Sequence, residues 1–208
     1  MIQTTEIQFS YPQGSSFSFP AMTCNAGETL LITGSSGTGK TTFLHLLSGL
    51  LTPTSGEIKI NNQDITKLKG TDLDSFRGKN IGLVLQKSYF VNALNVLENI
   101  ETASWLSNKN KNTEKAKELL QQLGLSDHIT KNPSELSVGQ QQRVNIARAL
   151  INEPKIILAD EPSSSLDDEN AQIVAQLLQD LAKKYNAALL IVTHDQRLKD
   201  VFSNYINL

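Results

Sequence analysis

The sequence predicts an α/β protein built on a mostly parallel sheet covered by helices on both faces. Three observations carry that reading. First, apolar runs of strand length at 29–33 (TLLIT), 81–85 (IGLVL), 155–159 (KIILA) and 187–193 alternate with segments of helical periodicity. Second, Gly34, Gln86, Asp160-Glu161 and His194 each stand directly after one of those runs, and sheets of this kind bind ligands at the carboxyl ends of their strands. Third, Gly34-Ser35-Ser36-Gly37-Thr38-Gly39-Lys40-Thr41 fits G-x-x-x-x-G-K-[ST], a phosphate-binding loop set between a strand and a helix.

The loop residues explain their own chemistry. Gly34, Gly37 and Gly39 allow backbone conformations in which successive N–H groups converge on one anion. Lys40 brings a mobile cation to the β- and γ-phosphates, and the Thr41 hydroxyl suits a Mg²⁺ bridging them. Residues 43–47 (FLHLL) read as the following helix, its positive end toward the phosphates.

The chain has 208 residues, 39% hydrophobic and 19% charged, with a net charge of −2. Such a composition suits a globular domain and argues against bulk binding to nucleic acid or anionic lipid. The single cysteine, Cys24, rules out a disulfide within the chain and reads as a small buried filler. No run approaches the roughly 18 apolar residues of a membrane span. The N-terminus lacks the basic and apolar regions of a signal peptide, so a cytosolic location is expected. The short basic run Lys109-Asn110-Lys111 reads as a solvated turn.

Taken in order, 7–11 alternates like an edge strand ending at Tyr11, and 16–22 alternates again after a Pro12-Gln13-Gly14 turn. Tyr11 can stack on a purine or pack on that turn. Residues 56–60 read as a strand, 61–64 as a turn and 71–76 as a short polar helix. From about 87 to 153 only helical patterns occur. Asn112 or Thr113 can cap a helix whose Ala116, Leu119, Leu120 and Leu123 share a face and which Gly124 ends. A second amphipathic helix covers 139–151. Asp167 can cap a third, burying Ile173, Val174, Leu177, Leu178 and Leu181.

Asp160 after its apolar run can hold Mg²⁺, directly or through water. Glu161, where the chain leaves the strand, can polarise an attacking water. Gln86 has a donor and an acceptor end, so it can touch metal and water together. His194 can be structural or donate to a γ-phosphate.

Leu136-Ser137-Val138-Gly139-Gln140-Gln141-Gln142-Arg143 resembles the signature motif of ATP-binding-cassette (ABC) ATPases. The phosphate loop, Gln86, Asp160-Glu161-Pro162, Ser165-Leu166-Asp167 and His194 extend the resemblance over essentially the whole chain. Ser75-Phe76-Arg77, Val96-Leu97-Glu98-Asn99-Ile100 and Pro133-Ser134-Glu135-Leu136 are similar to the lipoprotein-release, macrolide-export and cell-division type (LolD, MacB and FtsE). The resemblance implies the P-loop ABC ATPase fold, with an antiparallel β edge and a helical subdomain at about 87–153 between core segments 1–86 and 154–208. It implies ATP and Mg²⁺ as ligands, and a homodimer sandwiching ATP between the phosphate loop of one copy and Ser137, Val138, Gly139 and Gln140 of the other. Tyr11 would stack on adenine and Thr42 would join the loop around the phosphates. Thr41, Gln86 and Asp160 would hold the metal. Glu161, His194, Gln86 and Lys40 would be catalytic, and Ser165 and Asp167 would line the dimer seam. Val138 replaces the family's usual Gly, so its backbone should be ordinary helical or extended.

The implied function is the ATPase subunit of a membrane permease for lipoprotein release or efflux, peripheral on the inner face of the cell membrane and without nucleic-acid partners. The alternatives are a cell-division type that controls wall hydrolases without transport, and a soluble non-transporting ATPase. Because the chain ends soon after His194, no further domain is expected.

Overall fold

The computed structural model describes residues 1–12, 14–107, 111–195, 198, 202 and 204–208. Its centre is a five-stranded, wholly parallel sheet. The strands are β5 (Thr29–Thr33), β8 (Ile81–Val84), β9 (Ile156–Asp160), β10 (Ala188–Val192) and β11 (Tyr205–Asn207), in the order β11-β5-β10-β9-β8. Alternation sorts their side chains. Leu31, Ile157, Ala159, Leu189 and Ile191 enter one core, and Leu30, Ile32, Ile156, Leu158, Leu190 and Val192 enter the other. Burial on both faces explains why these strands read as continuous apolar runs.

Helices α3 (Val96–Leu106), α4 (Thr113–Gln122), α5 (Val138–Leu150) and α6 (Asp168–Lys184) cover the first face. Each begins on a side-chain cap: Asn95, Asn112, Ser137 and Asp167 accept from backbone N–H groups of the first turn. The backbone N–H and the side-chain amide of Asn170 donate to the Asp167 carboxyl and hold it below the usual range. Gly124, at φ 68°, ends the turn after α4.

The second face packs on α1 (Lys40–Leu47) and on antiparallel strands. Strand β1 (Ile2–Thr4) lies between β4 (Met22–Cys24) and β6 (Ile58–Ile60), and β7 (Gln63–Asp64) follows at the edge. Strands β2 (Ile7–Ser10) and β3 (Ser16–Phe19) form a separate hairpin. Helix α2 (Gly70–Asn80) leads into β8. Cys24 is fully buried, and burial pushes its thiol up to about 12.

Several expectations need correction. The apparent strand 16–22 is two strands in different sheets, because Pro20 and Ala21 break it. Gln63 and Asp64 pair as a strand rather than closing a turn. Ile173 is 42% exposed, whereas Val174, Leu178 and Leu181 carry the buried face of α6. The α2 helix runs past Phe76 to Asn80. Strands β1 and β11 had no expectation attached. In the basic run, Lys109 and Asn110 lie outside the described residues, as does Gln13 of the first turn. Among the described residues, no helix is long and apolar enough to cross a membrane.

Candidate nucleotide site

Strands β5, β9 and β10 end side by side, and the candidate residues follow those ends. Helix α1 begins on Gly39 at φ 92°, with no side-chain cap and no acidic residue in its first turn. Its first N–H groups are therefore available to an anion from outside the helix. Gly39 is required twice over. Its φ disfavours any side chain, and a Cβ there would lie 2.5 Å from the Phe17 ring. The Lys40 ammonium is buried inside its own loop, donating to the carbonyl oxygens of Gly34 (2.8 Å) and Ser35 (2.9 Å).

The Thr41 hydroxyl donates to the Asp160 carboxylate, 3.3 Å from each oxygen. Asp160 is 6% exposed, and burial raises its pKa against the opposing Thr41 hydrogen bond. A hydroxyl and a carboxylate converging at a phosphate loop are hard oxygen donors of the kind Mg²⁺ takes, with phosphate oxygens and water completing its shell. The residues present fit that ion.

Glu161 occupies the left-handed region at φ 47°, an uncommon conformation that turns the chain sharply out of β9. Its carboxylate is held on several sides. Thr193 donates its hydroxyl to Oε2 at 2.9 Å, and the His194 N–H donates to Oε1 at 3.1 Å. The His194 ring meets Oε1 through Nδ1 at 2.6 Å. With the carboxylate ionised, Nδ1 carries the proton, so Nε2 can donate to a phosphate only when the ring is an imidazolium. Ser163 donates to Asp195 at 2.8 Å and ties the segment after Glu161 to the one after His194.

One cleft of about 530 Å³ is lined by Phe17, Ser36, Gly37, Gly39, Lys40, Thr41, Thr42, Gln86, Glu161 and His194. Most of the expected catalytic and phosphate-binding residues therefore meet. Tyr11 stands beside that group, its hydroxyl hydrogen-bonded to Thr42 Oγ1 at 3.1 Å. Gln86 follows β8, and its amide donates to Ser164 Oγ at 3.3 Å.

Ser137, Gly139 and Gln140 lie outside that cleft, and Val138 lines a further pocket with Gln86 and Glu161. Ser137 caps α5 in a reciprocal box with Gln140: the Gln140 N–H donates to Ser137 Oγ at 3.3 Å, and the Ser137 N–H donates to Gln140 Oε1 at 3.0 Å. The Gln140 amide also meets His128 Nε2 at 3.1 Å. Val138 opens the helix, 56% exposed and without positive φ, as expected for a side chain in place of Gly. Ser137, Val138, Gly139 and Gln140 share a second cleft with Ser165, Asp167, Arg143 and Asn170. Phe17, Thr193 and Ser163 escaped the sequence reading. For Phe17 the signal was present, since the alternation 16–19 (SFSF) sets two aromatic rings on one strand face.

This is the arrangement of a phosphate-loop nucleoside triphosphatase. Comparison with known proteins narrows it. Residues 19–164 match the family model described as ABC transporter. The lipoprotein-releasing system ATP-binding protein LolD of Buchnera aphidicola subsp. Acyrthosiphon pisum is 43% identical over 176 residues, covering 84% of this chain and 77% of that protein. The LolD of Syntrophotalea carbinolica is 40% identical over 206 residues, covering 95% and 90%. A bacterial ABC transporter cassette solved as a dimer superposes with a TM-score of 0.89 at 32% identity, covering all of this chain and 94% of that one. The same TM-score and identity hold for a post-hydrolysis dimer bound to ADP and Pi. The chain belongs to the ABC transporter family, and it is an ATPase.

Proposed function

We propose that this chain is the ATPase subunit of a lipoprotein-releasing membrane complex, working as a homodimer that closes around ATP. The observation that carries the reading is similarity to LolD proteins across nearly the whole chain, joined to a phosphate-loop cleft that Ser137, Gly139 and Gln140 of the same chain do not line. In this reading residues 1–86 and 154–208 form the catalytic core, and 87–153 the helical part.

Lys40 and the open end of α1 hold the β- and γ-phosphates. Thr41 and Asp160, with Gln86, would hold Mg²⁺, which supplies charge neutralisation on those phosphates. Glu161 takes a proton from the water that attacks the γ-phosphorus, and ADP departs with the bridging oxygen. Thr193 and His194 fix the carboxylate that receives the proton. The α5 N-terminus of the second copy brings Ser137, Gly139 and Gln140 to the γ-phosphate from the far side, with Ser165 and Asp167 at the seam. Hydrolysis then removes the group that joins the two surfaces.

The segment after Gln86 suits a permease contact. Asn99, fully buried, bonds Val91 through both N–H and C=O and also donates to Leu94 and Asn95, and Arg148 donates to the Tyr89 carbonyl. Yet the side chains of Tyr89 and Val91 are 68% and 50% exposed. Such a pinned backbone with free apolar side chains presents a firm docking surface. Through it the chain would sit on the inner face of the cell membrane.

The test is capture from detergent-solubilised membranes with the Glu161→Gln form and ATP, followed by mass spectrometry. The expected companion is a permease with few spans and a large extracytoplasmic domain, together with lipoprotein-trafficking components. Wall hydrolases in their place would mean control without transport, and purely soluble partners would end the membrane assignment.

A further inference from the structure

Five aromatic rings run in a connected series from the core to the cleft. Phe43 of α1 and Phe19 of β3 are both buried and stack at 4.5 Å with planes 15° apart. Phe19 stacks in turn on Phe17 at 5.9 Å and 7°. Tyr11 stands edge-on to Phe17 at 6.3 Å and 85°, and edge-on to Phe9 at 4.7 Å and 87°. Burial falls from Phe43 to Tyr11, and Phe9 beyond Tyr11 is buried again. Phe19 is 1% exposed, Phe17 is half-buried and Tyr11 is 40% exposed.

The two rings nearest the cleft, Phe17 and Tyr11, are each held from a second side. Phe17 is pressed against Gly39 and lines the phosphate cleft itself. Tyr11 is fixed from the other side by its hydroxyl on Thr42 in the first turn of α1. Together they make a two-walled aromatic corner, rigid and partly open, where the phosphate loop enters its helix. A half-buried Phe at the mouth of a polar, phosphate-binding cleft leaves apolar surface exposed that the fold itself does not cover. A heteroaromatic base would cover it by stacking. We propose that Phe17 is a nucleobase-binding residue of this site, sharing the base with Tyr11. Tyr11 then acts as one wall rather than as the sole platform. The inference rests on this cleft being the triphosphate site.

The test compares Mg–ATP with Mg–tripolyphosphate, a ligand with the phosphates and no base, by titration calorimetry in the Glu161→Gln background. Phe17→Ala should weaken ATP about 10-fold, as loss of stacking implies, and leave tripolyphosphate within about 2-fold. Phe17→Trp, which keeps a stacking face, should hold ATP within about 2-fold of the parent. Phe17→Leu keeps bulk against Gly39 should the Ala form fold poorly, and it should still weaken ATP about 5-fold with tripolyphosphate unchanged. Equal losses for both ligands would show that the ring only props the phosphate loop, and unchanged ATP affinity would show no base contact. Either result overturns the proposal. A parent protein that binds neither ligand would overturn the cleft assignment, and this inference with it.

Discussion

The phosphate-loop cleft and the signature cleft are built from opposite materials. The first is cross-linked within one chain: Lys40 to its loop, Thr41 to Asp160, and Glu161 to Thr193 and His194. Its anchors sit at the ends of adjacent, fully buried strands. The second is self-contained. Ser137 and Gln140 cap each other, and Val138 and Asp167 face solvent. A helix N-terminus carrying only its own capping box, with no acidic residue in its first turn, keeps positive potential for something outside the chain. In the proposed function the first cleft would bind and activate ATP, and the second would meet the copy already carrying phosphate.

If that division holds, damage to the two sides should separate binding from turnover. The largest effect belongs to Glu161→Gln, which should cut turnover by about 10²–10⁴ while leaving ATP affinity intact, because a general base is lost and no phosphate contact is. Steady-state phosphate release against equilibrium ATP binding checks it, and turnover within a few-fold of the parent would place the base elsewhere. Next comes Gly139→Asp. The backbone there is helical without positive φ, and the nearest atom to an added Cβ is 3.7 Å away, so the backbone accepts a Cβ without strain. It sets a negative charge where the second copy's γ-phosphate would arrive. Turnover should fall at least about 10-fold, with ATP binding to the monomer unchanged. Weakened monomer binding would place the signature residues in the same copy's site.

The smallest effect is on stability. Burial raises the Asp160 pKa, so the folded state favours its protonated form. The sign follows from linkage: stability falls as pH rises from the ordinary carboxylate range through the raised value, and it recovers as pH falls. Asp160→Asn should therefore melt a few degrees higher than the parent near neutral pH without Mg²⁺ or nucleotide (about 2–4 °C per kcal/mol released), with the gain shrinking in acid. It should also lose Mg²⁺-dependent turnover. A lower melting temperature at neutral pH would mean that the Thr41 hydrogen bond outweighs the burial of the charge.

What could be read beforehand follows the range of the forces involved. The phosphate loop, the buried strands β5, β9 and β10, and the caps at Asn112 (read as Asn112 or Thr113) and Asp167 are local patterns, and the residues after those strands meet in one cleft because a parallel sheet aligns its strand ends. Strands β1 and β11 are three residues long, and long-range pairing creates them: Ile2 with Ile60, and Tyr205 with Leu31. Nothing within 2–4 or 205–207 announces those partners. Ile173 failed for another reason, since an apolar residue beside a helical stripe is as easily exposed as buried. Phe17 was hidden because alternation assigns a face and does not say that the face ends at a ligand cleft.

The measurement that tests the division most directly is the mass of the Glu161→Gln form by light scattering, with and without saturating ATP–Mg²⁺. A site split between two copies predicts a shift from monomer to dimer on adding nucleotide, abolished by Gly139→Asp. A monomer that binds ATP and stays monomeric would contradict it for the isolated subunit.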